Sequence, residues 1–242
     1  MTDFLLLHGM SVAAWEWERV IPALQADGRV RKVVAPDFPG RGDGGGRKFG
    51  DIRLAEYAAT AIAALREHDL RDVLLVGHSG GGVTMQAVAA AEPERVRRLV
   101  FLCAAIPRNG HSLLDWQPTP QRLVSRATLW LLRANSRGIV PNKRLARWAM
   151  GSDLQPADCA DLLRRLVSEP PCLIKDAITW DAGQTAVPAT YIRTTSDRVI
   201  RPKEQTRMAH SVADIDLIDL PTGHAYPTVY PDRLVEILLG YA

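Results

Sequence analysis

An apolar strand that runs into a serine set among glycines leaves a chain few ways to fold. The stretch Val73-Leu74-Leu75-Val76-Gly77-His78-Ser79-Gly80-Gly81-Gly82 is followed by Val83-Thr84-Met85-Gln86-Ala87-Val88-Ala89-Ala90, which suits a helix. Strand, tight turn and helix in that order make the setting of a nucleophile elbow, where the turn strains the serine backbone and holds its hydroxyl clear of the sheet. Glycines on either side of Ser79 let the strand and the outgoing helix approach closely. A bare Gly-x-Ser-x-Gly is a common pattern, and the flanking strand and helix are what give it meaning.

Around the elbow, short apolar runs at 4–7, 32–35, 73–76 and 99–104 alternate with amphipathic segments at 15–26, 52–68 and 83–92. The alternation predicts an α/β fold, a mostly parallel sheet flanked by helices. It resumes with strands at 189–193 and 215–220 and helices at 202–213 and 231–241. Between Pro107 and Pro188 the pattern becomes helical, at 121–134, 143–150, 156–167 and 173–180. The 242 residues therefore read as one core, 1–106 with 189–242, carrying an inserted helical cap at 107–188. Trp116, Trp130, Trp148 and Trp180, four of the six tryptophans, fall in the cap. Together with Gly9 they are candidate lining of a pocket beneath it, although tryptophans there could equally serve to pack cap against core.

Composition narrows the function. Charged residues make up 24% and hydrophobic residues 47%, with a net charge of +3, and no basic run interleaved with aromatics suggests a nucleic-acid partner. Three cysteines, Cys103, Cys159 and Cys172, lack the spacing of a disulfide framework or a zinc site, so no metal is expected. With no long apolar span and no leader-like start, the expectation is a cytoplasmic protein, monomer or homodimer, without membrane contact. The glycine-rich loop at 40–46 lacks the lysine and the spacing of a phosphate cradle, and no cofactor is expected.

A serine hydroxyl is a weak nucleophile at neutral pH and needs a histidine base, itself oriented by a carboxylate. On a sheet of this type these should follow the serine in the order acid, histidine, each on a loop beyond a strand. Asp197 in Thr195-Ser196-Asp197-Arg198 and His224 in Pro221-Thr222-Gly223-His224 satisfy both conditions. Asp115 is a rival for the acid; His8, His68, His78, His111 and His210 lie upstream, next to the serine, or on helices and the cap. Two backbone donors are needed for the oxyanion of acyl transfer, and the amides of Met10 and Gly80 are placed to supply them.

His8-Gly9, Asp37-Phe38-Pro39-Gly40-Arg41-Gly42, Gly77-His78-Ser79-Gly80-Gly81, Thr195-Ser196-Asp197 and Gly223-His224 resemble the α/β-hydrolase superfamily from end to end. The chain looks like the compact branch that holds plant methylesterases and hydroxynitrile lyases, with Trp15-Glu16-Trp17 in its first helix and Val100 to Pro107 leading to the cap. The resemblance implies Ser79 as nucleophile, His224 as base and Asp197 as its orienting acid. It also implies a small-molecule ester as substrate. The related lyases carry threonine and lysine where this chain has Gly9 and Ala225, which disfavours cyanohydrin chemistry. A lyase, cyclase or acyltransferase using the same groups, and a non-catalytic ligand receptor, are the other readings a sequence of this kind permits.

Overall fold

Residues 1–41, 48–116, 138–179, 187–212 and 214–242 are described by the computed structural model. Among them, six strands form one parallel sheet: β1 (Thr2–Leu7), β2 (Val30–Val34), β3 (Val73–His78), β4 (Val96–Leu102), β5 (Ala189–Thr194) and β6 (Ile215–Leu220), in the spatial order β2-β1-β3-β4-β5-β6. The chain steps from β1 outward to β2 and then crosses back to β3 on the other side of β1. Ligands bind beyond the carboxyl ends of strands where the winding reverses in this way. Register makes that point compact: Leu7 pairs with Gly77 and His78 with Leu102, so the loops after β1, β3 and β4 emerge side by side.

Alternation along each strand divides the core in two. Leu5, Leu7, Leu75, Phe101 and Tyr191 face one side of the sheet and pack with helices α2 (Leu54–Glu67) and α3 (Gly82–Ala91). Phe4, Leu6, Leu74, Val76, Val100 and Ile192 face the other, against Trp17, Leu24 in α1 (Ile21–Gln25), and Leu234 and Leu238 in the last helix, Pro231–Leu239. Burial on both faces is why the central strands read as unbroken apolar runs.

Several boundaries differ from the sequence reading, each for a physical reason. The helix expected over 15–26 splits into a 3-10 turn, Ala14–Trp17, and α1, because Pro22 has no amide hydrogen and must sit in the first turn of a new helix. β4 starts at Val96 rather than 99, since Arg97 and Arg98 hide the strand from an apolar count; Arg97 pairs with Asp72 and Arg98 with Asp216. The helix expected at 173–180 covers only Cys172–Lys175, ending at an extended Asp176. The helix expected at 202–213 stops at Ala209, so that the chain can turn back into β6.

Between β4 and β5 lie a 3-10 turn at Leu113–Trp116 and helices α4 (Lys143–Met150), α5 (Pro156–Arg165) and α6 (Cys172–Lys175). The helix expected at 121–134 falls outside the described residues. This segment is fastened by polar contacts to the loops after β1 and β2 and to α2. Glu169, fully buried, accepts the Ser11 amide at 2.6 Å and the Tyr57 hydroxyl at 2.7 Å, and pairs with the buried Arg41 guanidinium. Arg41 Nε in turn donates to the Val12 carbonyl at 2.6 Å. Removing one member of a buried ion pair strands the other charge, so Glu169→Ala should destabilise the fold by about 3–5 kcal/mol. Chemical denaturation would measure it; a loss below about 1 kcal/mol would mean that the network contributes little.

Candidate active site

The elbow forms because three glycines remove atoms for which there is no room. A Cβ on Gly81 would collide with the Leu7 carbonyl oxygen, one on Gly82 with Ala104 and one on Gly77 with the Met85 sulfur. Ser79 itself has φ +50°, a left-handed conformation that disfavours any side chain, and its carbonyl is held by the Ala105 amide at 2.9 Å. A strained, nearly buried serine is the cost of aiming its hydroxyl past the sheet edge.

His224 Nε2 lies 2.8 Å from Ser79 Oγ, and His224 Nδ1 lies 2.7 Å from Asp197 Oδ2. Asp197 follows β5 and His224 follows β6, the loop positions expected from the sequence, and both are buried. Asp197 is ringed by donors: Thr194 Oγ1 at 2.9 Å and Gln205 Nε2 at 3.0 Å on Oδ2, with the Val199 and Ile200 amides at 2.7 and 3.0 Å on Oδ1. Burial works against its charge, but His224 and these donors hold its pKa below the ordinary carboxylate value. For His224, burial is the largest influence and favours the neutral ring, yet the Asp197 carboxylate and Cys103 together outweigh it and push the pKa up to about 9. Asp115, the rival acid, instead accepts the Ser112 amide and hydroxyl at 2.8 and 2.9 Å in a local turn.

The loop after β1 passes directly over the serine: a Cβ on Gly9 would come within 3.2 Å of Ser79 Cβ. His8 Nδ1 donates to the Gly9 carbonyl at 2.9 Å, while His8 Nε2 accepts the Phe38 amide at 3.2 Å. Those roles require a neutral ring, and burial followed by the nearby Arg41 charge lowers the His8 pKa to about 4. In a trans peptide the N–H points opposite to the preceding carbonyl, so fixing the Gly9 carbonyl fixes the direction of the Met10 N–H. Met10 N sits beside Gly80, 3.3 Å from where a Cβ on that residue would be. The Gly80 amide lies in the first turn of a helix, where no earlier carbonyl is available to it. The Met10 and Gly80 amides thus lie near each other beside Ser79, and two such donors can stabilise a tetrahedral oxyanion when they point at it.

A family model described as the alpha/beta hydrolase family matches residues 4–237. The chain belongs to the α/β-hydrolase family. Among its curated relatives, a carbendazim-hydrolyzing esterase of Nocardioides sp. (strain SG-4G) is 30% identical over 118 residues, 49% of this chain and 48% of the relative. A pyrethroid hydrolase of Sphingobium wenxiniae is 24% identical over 254 residues, covering 100% of this chain and 88% of the relative. The chain spans 63%, 48% and 41% of the lengths of three of the curated relatives it matches. An extracellular α/β-hydrolase from a Paenibacillus species superposes with a TM-score of 0.85 at 20% identity, over 100% of this chain and 99% of that one. At that identity the likeness is one of fold.

Two members of this α/β hydrolase's site were not singled out from the sequence. Glu16, 5% exposed, accepts the Gly9 amide on Oε2 at 3.0 Å, and its Oε1 lies 2.7 Å from His78 Nδ1, at ion-pair distance though outside in-line hydrogen-bond geometry. His78, 1% exposed, reaches the His224 carbonyl with Nε2 at 2.8 Å. Burial, the largest influence, favours a neutral His78, but the Glu16 carboxylate and Cys103 together override it and raise the imidazole pKa well above its ordinary value; Glu16 is correspondingly lowered. The motif Trp15-Glu16-Trp17 was a possible signal, since a carboxylate between two buried-type aromatics needs a partner.

The expected tryptophan lining fares differently. Trp148 is 57% exposed, with the Arg198 guanidinium 5.6 Å from its ring centre, and lines an open depression with Thr195, Arg201 and Lys203. Trp130 and Trp180 lie outside the described residues, as does the Trp116 side chain. His78, Cys103 and His224 bring potential ligand atoms within 4.8 Å of one another. Both His224 nitrogens already face Asp197 and Ser79, and both His78 nitrogens face Glu16 and a carbonyl, so a metal there would have to displace the other contacts. Among the described residues no helix is long and apolar enough to cross a membrane.

Proposed function

We propose that this chain is a serine hydrolase that cleaves a small or medium carboxylic ester, methyl esters and lactones included, through an acyl-enzyme. The line from Asp197 through His224 to Ser79, at 2.7 and 2.8 Å, carries the proposal. Ser79 Oγ attacks the ester carbonyl carbon as its proton passes to His224 Nε2. The carbonyl oxygen becomes an oxyanion facing the Met10 and Gly80 amides. Collapse breaks the bond to the alcohol, which leaves with the proton from His224, and a water activated by the same ring then releases the acid and restores Ser79. Asp197 holds the ring in the tautomer that keeps Nε2 free to accept. Relatives named as esterases and as a pyrethroid hydrolase support ester chemistry for this chain. We further read the segment carrying α4 to α6 as the cap that shapes the pocket.

A panel of p-nitrophenyl esters of graded acyl length, aryl methyl esters and lactones tests the reading, with Ser79→Ala as the blank. Turnover above the blank is expected on at least one class. Mandelonitrile cleavage should stay at the buffer background, because departing cyanide needs a cation and the residue after His224 is Ala225, while Arg198 and Lys203 are exposed. Cyanide release that vanishes in Ser79→Ala, with no ester or lactone turned over, would replace the hydrolase by a lyase.

A further inference from the structure

The Glu16 and His78 side chains occupy a position that the proposed reaction does not use directly. They are buried side by side between the oxyanion loop and the catalytic histidine, and each touches a different part of the site. Glu16 reaches back from the 3-10 turn after β1 to grip the Gly9 amide; His78 reaches from the elbow to grip the His224 carbonyl, which also receives the Cys103 thiol at 3.6 Å. The resulting chain runs from the Gly9 N–H through the Glu16 carboxylate and the His78 ring to the His224 C=O. Every covalent connection between those two ends is long, since Gly9 and His224 lie at opposite ends of the sequence. This contact chain links the loop that presents the Met10 amide to the backbone that presents the imidazole.

We infer that Glu16 and His78 are a buried positioning pair that holds the oxyanion loop and the His224 backbone in register across Ser79, an inference that rests on the hydrolase reading of the site. Both groups carry charge in this role. A carboxylate accepts the Gly9 amide on one oxygen while the other faces an imidazolium, and the imidazolium uses its second N–H on the His224 carbonyl. His8 fixes the other side of Gly9 through its carbonyl, so the residue is held at both its amide and its carbonyl. Loss of the pair would leave the substrate-binding surface in place but let the Met10 amide and the His224 ring drift relative to each other. Misplacement of this kind acts on the transition state more than on the bound substrate, because both groups do their work as charge develops.

Glu16→Gln keeps the shape and can still accept the Gly9 amide, but it removes the charge that holds His78 protonated. Its kcat should fall on the order of 100-fold, the scale of a misplacement of about 1 Å, with KM within about twofold. His78→Gln should fall similarly, and the double variant should be no worse than the poorer single one, because the two act as one unit. Nitrogen-15 NMR of the wild-type protein should show a doubly protonated His78 ring at pH 8, and the Glu16→Gln variant a neutral one. Unchanged kcat in Glu16→Gln, additive losses in the double variant, or a neutral wild-type His78 at pH 8 would each overturn the pair. The NMR arm holds even if a variant fails to fold. Labelling of wild-type Ser79 by a fluorophosphonate separates the two readings: no adduct there sinks the hydrolase itself, whereas slowed labelling confined to the variants supports the pair.

Discussion

Ser79→Ala should lower kcat on the order of a millionfold, the loss seen when the nucleophile of a Ser-His-Asp hydrolase is removed alone. The size follows from the geometry. Without Oγ, the His224 ring at 2.8 Å has no proton to accept and the proposed oxyanion donors, the Met10 and Gly80 amides, have no covalent adduct to stabilise, so only their binding of a water-attacked ester remains. The wild-type protein should also take a covalent fluorophosphonate adduct on Ser79, read by intact mass, because these reagents report a serine activated by a neighbouring base. An adduct that persists in Ser79→Ala would place the nucleophile elsewhere. Alanine retains the left-handed strain at this position, so the variant should fold much as the wild type does.

What could be read in advance follows the range of the forces involved. The elbow is local: Gly77, Ser79, Gly81 and Gly82 lie within six positions, and their glycines exist for steric reasons that one strand and one helix impose. Asp197 and His224 are distant in sequence yet were legible, because a parallel sheet presents its loops at one edge and the order of residues then follows the order of strands. Glu16 was legible only as a carboxylate in need of a partner. Its partners, Gly9 and His78, meet it only when β1 and β3 pair in register, and nothing in Trp15-Glu16-Trp17 says which way a carboxylate turns. Gln205 is similar: it bonds the Thr194 amide, the Asp197 carboxylate and the Ile200 carbonyl, and so orders the acid loop, but in sequence it is one more polar residue on a helix. Trp148 is a different case. An aromatic on an inserted helix suggests a lining residue, whereas the ring is half-exposed beneath the Arg198 guanidinium, an arrangement that apolar periodicity does not register.

Asp197→Asn should lower kcat by about ten-thousandfold while leaving the fold intact, because an amide in that place favours the wrong tautomer of His224. The pH dependence gives a second reading of the same contact. The working base is neutral His224, and its pKa is raised to about 9 chiefly by the Asp197 carboxylate acting against burial. In the wild type, kcat/KM should therefore climb with pH well above the ordinary histidine range and level off near pH 9. The asparagine variant loses the attracting charge, so its much lower profile should level off at a lower pH. Stability moves the other way. A histidine whose folded pKa lies above its unfolded value of 6.5 stabilises the fold fully below that value, and the contribution is lost as pH rises towards about 9. Thermal stability should thus decline over the window in which activity rises, and less steeply in Asp197→Asn, where the attraction that raises the His224 pKa is lost. If Asp115→Asn proves the crippling change and Asp197→Asn leaves both slopes untouched, the carboxylate 2.7 Å from His224 is not the one that orients it.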